Sequence, residues 1–309
     1  MLGFGGKLNN AGAPIGIAVT AHDVRLVQRT SSGYVFEREP LAEDIDVAGP
    51  AYHAETQRAI STALRRGKFV GKQAVSALPA ELLRYKTLRL PPMPAEEMAQ
   101  AVAWEAAERF QLTEDQSLQH YSAGAVNQGN EQREEIILLA AEKNAVYDHA
   151  VAVRRAGLQP TAIDATGAAI GRVLGFEGQS SLVVHLGPTF AEVVGLRGDQ
   201  VIFDKPVELA RSEDTIDFTA LSREIALCIR YLSVTFGIHK PDAAWVCGEG
   251  VEGTLAQQLS SGLNTTFQTA DQAPAVKAMG STDADAHEWV VALGLAVRDQ
   301  TAQAKRGAA

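Results

Sequence analysis

Three valine-rich runs, Leu182–Leu186, Phe190–Leu196 and Val201–Leu209, are separated only by Gly187-Pro188-Thr189 and Arg197-Gly198-Asp199-Gln200. Links that short cannot cross over between parallel strands, so the stretch spells an antiparallel meander. The same layout occurs near the start of the chain. Ile15–Val19, Val24–Gln28 and Tyr34–Glu39 are broken at Thr20-Ala21-His22-Asp23 and at Ser31-Ser32-Gly33. Helical segments follow both meanders. One three-strand unit used twice in 309 residues predicts two lobes built to one plan.

The rest of the chain supplies helices and strands in alternation. Gly49-Pro50 opens a helix reaching about Arg66, and Gln73–Ala77 and Tyr85–Leu90 read as strands. Pro94 suits the first turn of a helix over 94–110, with Glu96 and Glu97 at its positive end and Met98, Val102, Ala106 and Phe110 on one stripe. Gln119–Ala125 and Glu135–Ala141 read as a strand pair, and Lys143–Ala156 as a helix stopped by Gly157. Gln159–Asp164 is a strand, followed by a Gly- and Ala-rich helix over Ala165–Leu174 whose small side chains permit close backbone approach. After the second meander, Glu213–Gly237 reads as the longest helix, with Leu221, Ile225, Cys228, Leu232 and Phe236 on one side. Ala243–Cys247 is a strand, Thr254–Leu263 a helix, Thr265–Gln268 a short strand, Thr269–Asp285 a loop, and His287–Arg298 a closing helix.

The expected organisation is a tail over 1–13, a first lobe from 14–72 and 158–178, an inserted α/β subdomain over 73–157, a second lobe with the closing helix over 179–299, and a tail over 300–309. A chain that is 46% apolar can build such cores. Its net charge of −9 lacks the positive field that nucleic acid or an anionic bilayer attracts. No apolar run approaches the roughly 20 residues of a membrane helix, and the N-terminus has no charged start before an apolar stretch. Cys228 and Cys247 both fall in apolar elements and are expected to be reduced core thiols in the cytoplasm.

Several segments, in this order and spacing, resemble the PilM branch of the actin-like ATPase superfamily, itself similar to FtsA and to the cytoplasmic part of GspL. They are Gly16–Val19 with Val24–Val27; Ala77-Leu78-Pro79 with Leu88–Pro91; Trp104–Phe110; Leu138–Ala141 with Ala156-Gly157-Leu158 and Asp164; and Ala292–Arg298. The resemblance implies an actin-like (ribonuclease H-like) α/β fold of two lobes, with an FtsA/PilM-type insertion in the first. Only Ala210–Ala220 stands where the second lobe's accessory subdomain belongs, so that lobe is expected to be reduced.

The resemblance also assigns a nucleotide site. Two hairpin turns would grip phosphates, each with an Asp that orders Mg²⁺ and a Gly that admits the phosphates. Here the Asp positions hold Ala18 and His185, and the Gly positions hold Thr20 and Gly187. Neutral histidine is a poor magnesium ligand. Asp23 lies beyond the first turn and is not expected to replace the missing carboxylate. The adenosine loop survives as Gly248-Glu249-Gly250, with Glu249 adding negative charge where a nucleotide would sit. If ATP and Mg²⁺ bind at all, Thr20, Gly187, Thr189, Gly248 and Gly250 are the residues to hold ATP; no metal ligand and no catalytic residue is assigned.

The expectation is therefore a non-enzymatic, degenerate ATPase. It would serve as a cytoplasmic scaffold at the inner membrane of a type IV pilus or type II secretion machine. By resemblance it would capture the N-terminal segment of a bitopic PilN-like, or GspL/GspM-like, protein between the first lobe and the insertion; self-association stays open. Trp104 lies off the Met98/Val102 stripe and is a candidate partner contact. The alternative is an ATP-binding PilM/FtsA-like protein whose nucleotide state controls its partner. Gly248, Gly250 and Gly253 also fit a dinucleotide fingerprint, but too little chain follows for the rest of such a domain. The histidines show no metal-ligand spacing and no nucleophile elbow is present.

Overall fold

The computed structural model describes residues 13–42, 46, 49–110, 115–209, 211–212, 215–251, 253–280 and 285–298. The expected tails lie outside these residues, apart from Ala13. The first meander is β1 (Ile15–Val19), β2 (Asp23–Thr30) and β3 (Gly33–Pro40), followed by α1 (Pro50–Arg66) and β4 (Gln73–Ala77). Next come β5 (Arg84–Leu90), α2 (Ala95–Phe110), β6 (Gln116–Gln128) and β7 (Glu131–Glu142), then α3 (Lys143–Arg155), β8 (Gln159–Asp164) and α4 (Thr166–Leu174). The second meander is β9 (Ser180–Leu186), β10 (Phe190–Arg197) and β11 (Gln200–Glu208). A small hairpin, β12 (Arg211–Ser212) and β13 (Thr215–Ile216), leads to α5 (Phe218–Phe236). The chain continues through β14 (Ala243–Gly248), α6 (Gly253–Leu263), β15 (Phe267–Thr269), α7 (Pro274–Ala278) and α8 (Val290–Ala296).

The repeat is literal. One sheet has the order β3-β2-β1-β4-β8 and the other β11-β10-β9-β14-β15. In each, the meander is antiparallel and the two later strands run parallel to its first strand. Register places Ile17 opposite Leu26 and Val193 opposite Val184.

Several boundaries differ from the sequence expectation. β4 pairs with β1, Ile15 opposite Ala74, and α3 packs on α1 and β8. The inserted unit is therefore residues 78–142, not 73–157. Local sequence shows that 73–77 is a strand but not which sheet it joins; the crossover through α1 decides that. The closing helix α8 packs on β1 and α4 of the first lobe, not in the second, whereas the 3-10 turn over Ala286–Trp289 before it packs on β14 of the second lobe. Residues 269–280 are not a plain loop, because short turns and α7 occur there.

The second lobe's accessory element is reduced to the β12–β13 hairpin. α5 consequently starts at Phe218, later than expected, because Asp217 caps it. Its Oδ1 accepts the N–H groups of Thr219 at 2.9 Å and Ala220 at 3.1 Å. Gly237, with φ 69°, ends the helix in the left-handed region. In the insertion the strand order is β5-β7-β6, and α2 covers one face through Met98, Val102 and Ala106 against Leu88, Ile136 and Leu138. The opposite face meets the second lobe, where Ile137 and Ala123 join the main core. Cys228 and Cys247 are buried and unbridged.

α4 and α8 lie between the lobes, and small residues let them approach closely. A Cβ on Gly294 would sit 2.0 Å from the Ala169 carbonyl oxygen, and one on Gly16 would sit 2.1 Å from that of Ala292. These contacts fix α8 against β1 and α4. Gly294→Ala should cost about 3 kcal/mol or more, because backbone must move. Gly262→Ala, at an open position in α6, should be neutral or stabilise by up to about 1 kcal/mol. Urea unfolding of both variants checks this; equal midpoints would refute the close-packing argument.

Candidate functional site

The β1–β2 and β9–β10 turns line the same cleft between the lobes. Atoms that the resemblance assigns to a nucleotide are bonded within the protein. The Thr20 N–H donates to the Asp23 carbonyl at 2.9 Å, and the Thr20 hydroxyl accepts the N–H groups of His22 and Asp23, both at 3.1 Å. The Gly187 N–H donates to the Phe190 carbonyl at 2.8 Å. The Thr189 hydroxyl donates to Glu81 Oε1 at 3.0 Å. Gly248 has φ 97°, and a Cβ there would lie 2.0 Å from the Leu186 carbonyl, so this glycine is required by the strand end itself. Gly250, with φ 68°, has open space around it.

Arg25 occupies the middle of the site, a residue that sequence reasoning did not single out. It stands on β2 and is 2% exposed. Its Nη2 lies 2.9 Å from Asp23 Oδ2, 3.2 Å from Glu249 Oε1 and 2.9 Å from Glu288 Oε2; Nη1 donates to the Glu288 carbonyl at 3.1 Å. Arg38 on β3 bonds Asp23 through Nε and reaches Glu288 Oε2 at 3.0 Å. At the solvent side, His22 Nδ1 is 2.8 Å from Glu249 Oε2. Arg25 and Arg38 come from the first lobe. Glu249 follows β14 of the second, and Glu288 precedes α8. The network therefore ties the loop after β14 of one lobe to the β1–β2 hairpin of the other. Glu249 does add negative charge there, as expected, but Arg25 meets it. The Asp23 carboxylate is engaged by Arg25 and Arg38. The sequence signal was present: Asp23 and Arg25 share a strand face, and Glu249 interrupts two glycines.

These charges shape one another. Burial works to raise the Glu249 pKa, but Arg25, the Thr20 hydroxyl and His22 outweigh it and hold the group below its ordinary value. For Glu288, burial prevails over the pull of Arg25 and Arg38, and its pKa rises.

A second cluster adjoins the first. His185 is pushed down to about 4 by burial and by Arg25. Its Nδ1 is 3.4 Å from Glu192 Oε2. Glu192 is pushed up to about 8 by burial and Glu81, so the two meet as a neutral pair near pH 7 and not as an ion pair. The Tyr85 hydroxyl of the insertion is 3.4 Å from Glu192 Oε1. Asp204 also rises, through burial and Glu192. His185 thus has a structural partner, and no substrate-facing role follows from its position. Between these groups, Thr20, Pro79, Thr166 and Pro188, the cleft encloses about 50 Å³. That is room for a few waters, far below the roughly 300–1,000 Å³ of a small-molecule pocket.

Trp104 is elsewhere, on the outer side of α2, and is 65% exposed. Its expected exposure holds, and it does not contribute to the cleft.

No family model matches this chain, and no curated protein matches it. Solved structures do. The PilM–PilN type IV pilus biogenesis complex contains a chain that matches with a TM-score of 0.73 at 21% identity, over 93% of this chain and 98% of that one. The chain has the actin-like fold. MreB 5 of Spiroplasma citri, solved bound to AMPPNP, matches with a TM-score of 0.52 at 10% identity, over 97% and 99% of the two chains. The ethanolamine utilization protein EutJ from Carboxydothermus hydrogenoformans gives 0.51 at 12% identity, over 94% and 92%. The fold class expected from sequence, a two-lobed actin-like protein with an insertion in the first lobe, therefore stands.

Arg25→Ala should cost about 3–5 kcal/mol, since it leaves three buried carboxylates with Arg38 and His22 as their remaining ion-pair partners among the described residues; Arg25→Met should cost similarly, because it also removes the charge. Chemical denaturation measures both, and a loss below about 1 kcal/mol would deny the network its role. Glu192 supplies a pH test. Its folded pKa of about 8 lies above the ordinary 4.5, so the folded chain holds a proton that the unfolded chain has released. Stability should fall as pH rises through that window. The histidines with depressed folded values finish releasing protons in the unfolded chain over roughly the same range, with the opposite sign, so the comparison with the Gln variant isolates Glu192. Glu192→Gln should therefore flatten the loss of stability between pH 7 and 8; an unchanged slope would exclude Glu192 as its source.

Proposed function

We propose that this protein is a non-catalytic scaffold of a type IV pilus or type II secretion assembly platform. The observation that carries this reading is the Arg25 network, which fills the interlobe position with the chain's own charges. The small cleft volume and the internal use of Thr20, Gly187 and Thr189 support it. A nucleotide entering here must first separate Arg25 from Glu249 and Glu288, and would then bring phosphate charge beside the acidic side chains Asp23, Glu81, Glu249 and Glu288. ATP, Mg²⁺ and hydrolysis accordingly have no part in the proposal.

Similarity to the PilM of the PilM–PilN complex supports the partner. In this reading the chain works in the cytoplasm and is held at the inner membrane by a bitopic PilN-like protein. The N-terminal segment of that protein lies between the first lobe and the insertion, and exposed Trp104 is a further contact. Among the described residues no helix is long and apolar enough to cross a membrane, which is consistent with recruitment through a partner.

Two measurements test the proposal. Millimolar Mg·ATP should leave the melting temperature unchanged, whereas binding to the folded state would raise it by mass action. A rise of several degrees would favour nucleotide control instead. Co-expression with a PilN-like protein should yield a complex that depends on that protein's cytoplasmic N-terminal segment. Truncating the segment without loss of the complex would refute the proposed mode of capture.

A further inference from the structure

The long helix α5 has a face that neither lobe covers. Arg223, Leu227, Arg230 and Val234 recur at steps of four, three and four, so they share one side. All four are exposed, Leu227 by 49% and Val234 by 76%. Neither Arg223 nor Arg230 forms an ion pair with a described residue, although the chain carries a net charge of −9 and acidic side chains abound. Two guanidinium groups that form no ion pair among the described residues, interleaved with two large exposed aliphatics, are therefore not explained by folding.

This face continues into a concavity. Leu227 is also one wall of a groove of about 370 Å³ between the insertion and the second lobe. Phe203 and Tyr231 extend its apolar side; Lys86, Asp204 and Lys205 also line it, Lys205 paired with Glu224 at 2.6 Å. The flanking strands, β5 and β11, are each the edge of their sheet. The groove is separate from the Arg25 cleft and from the junction of the first lobe with the insertion.

We propose that the groove and the adjoining α5 face receive an acidic peptide segment of a protein partner, anchored by one large apolar side chain. The anchor enters beside Phe203, Leu227 and Tyr231. Carboxylates flanking it meet Arg223 and Arg230, whose planar guanidinium groups suit bidentate pairing. Charge complementarity and shape together select this occupant. A flat bilayer cannot fill a groove between two strands, and an anionic surface is repelled by the rest of this acidic chain. The inference does not depend on what the interlobe cleft holds.

The test is a selection of short random peptides displayed on phage against the full-length protein, followed by fluorescence anisotropy with the best binder. Enriched peptides should be acidic and carry Leu, Phe or Trp. The double variant Arg223→Glu, Arg230→Glu should weaken binding on the order of tenfold or more, and high salt should weaken it too. Both side chains are exposed and form no ion pair with a described residue, so the variant should melt like the parent, which separates lost binding from lost folding. Enrichment of neutral or basic peptides, no enrichment at all, or an unchanged Kd in the double variant would overturn the proposal. So would cosedimentation with phosphatidylglycerol vesicles that the double variant abolishes, since the face would then belong to a membrane.

Discussion

A guanidinium group cannot be left alone inside a protein, and the arrangement around Arg25 follows from that constraint. The cation of Arg25 sits at 2% exposure and is always protonated, so carboxylates must come to it. Asp23 comes from the same strand, while Glu249 and Glu288 arrive from beyond β14 and from before α8. Satisfying one side chain thus draws three distant parts of the chain together. A buried network of this type is weak evidence for high stability, because desolvation offsets much of the attraction. It does penalise any lobe arrangement in which the partners separate.

An actin-like fold places two hairpins and a glycine-bearing loop around one cleft. In this chain each of those features is retained as geometry and occupied as chemistry. The turn N–H groups of Thr20 and Gly187 close their own hairpins. Glu81 from the link into the insertion takes the Thr189 hydroxyl. Gly248 is kept because the backbone of Leu186 passes too close for a Cβ, a requirement that holds with or without a ligand. Gly248, one of the glycines that in a sequence suggest a nucleotide loop, is thus accounted for by packing alone.

The insertion adds a second restraint. Its sheet is covered by α2 on one face and by the second lobe on the other, with Tyr85 reaching Glu192 and Arg89 reaching both Glu135 and Thr235 of α5. The lobes are consequently joined in three places: the Arg25 network, the α4/α8 layer of small residues, and the insertion. Opening the cleft would strain all three together.

The sequence by itself determined the duplicated meander, the helix stripes and the identity of the residues at the two turns, because strand alternation, helical spacing and turn chemistry are local. It also showed the absence of aspartate at positions 18 and 185, since identity needs no coordinates. It did not show that β4 and α3 belong to the first lobe or that α8 closes on it, since sheet membership is set by crossovers and by glycine-permitted contacts such as Gly294 with Ala169. Nor could it give Glu249 its partner. Arg25 and Glu249 are 224 positions apart, and only the tertiary fold, by removing both from water, made their pairing obligatory.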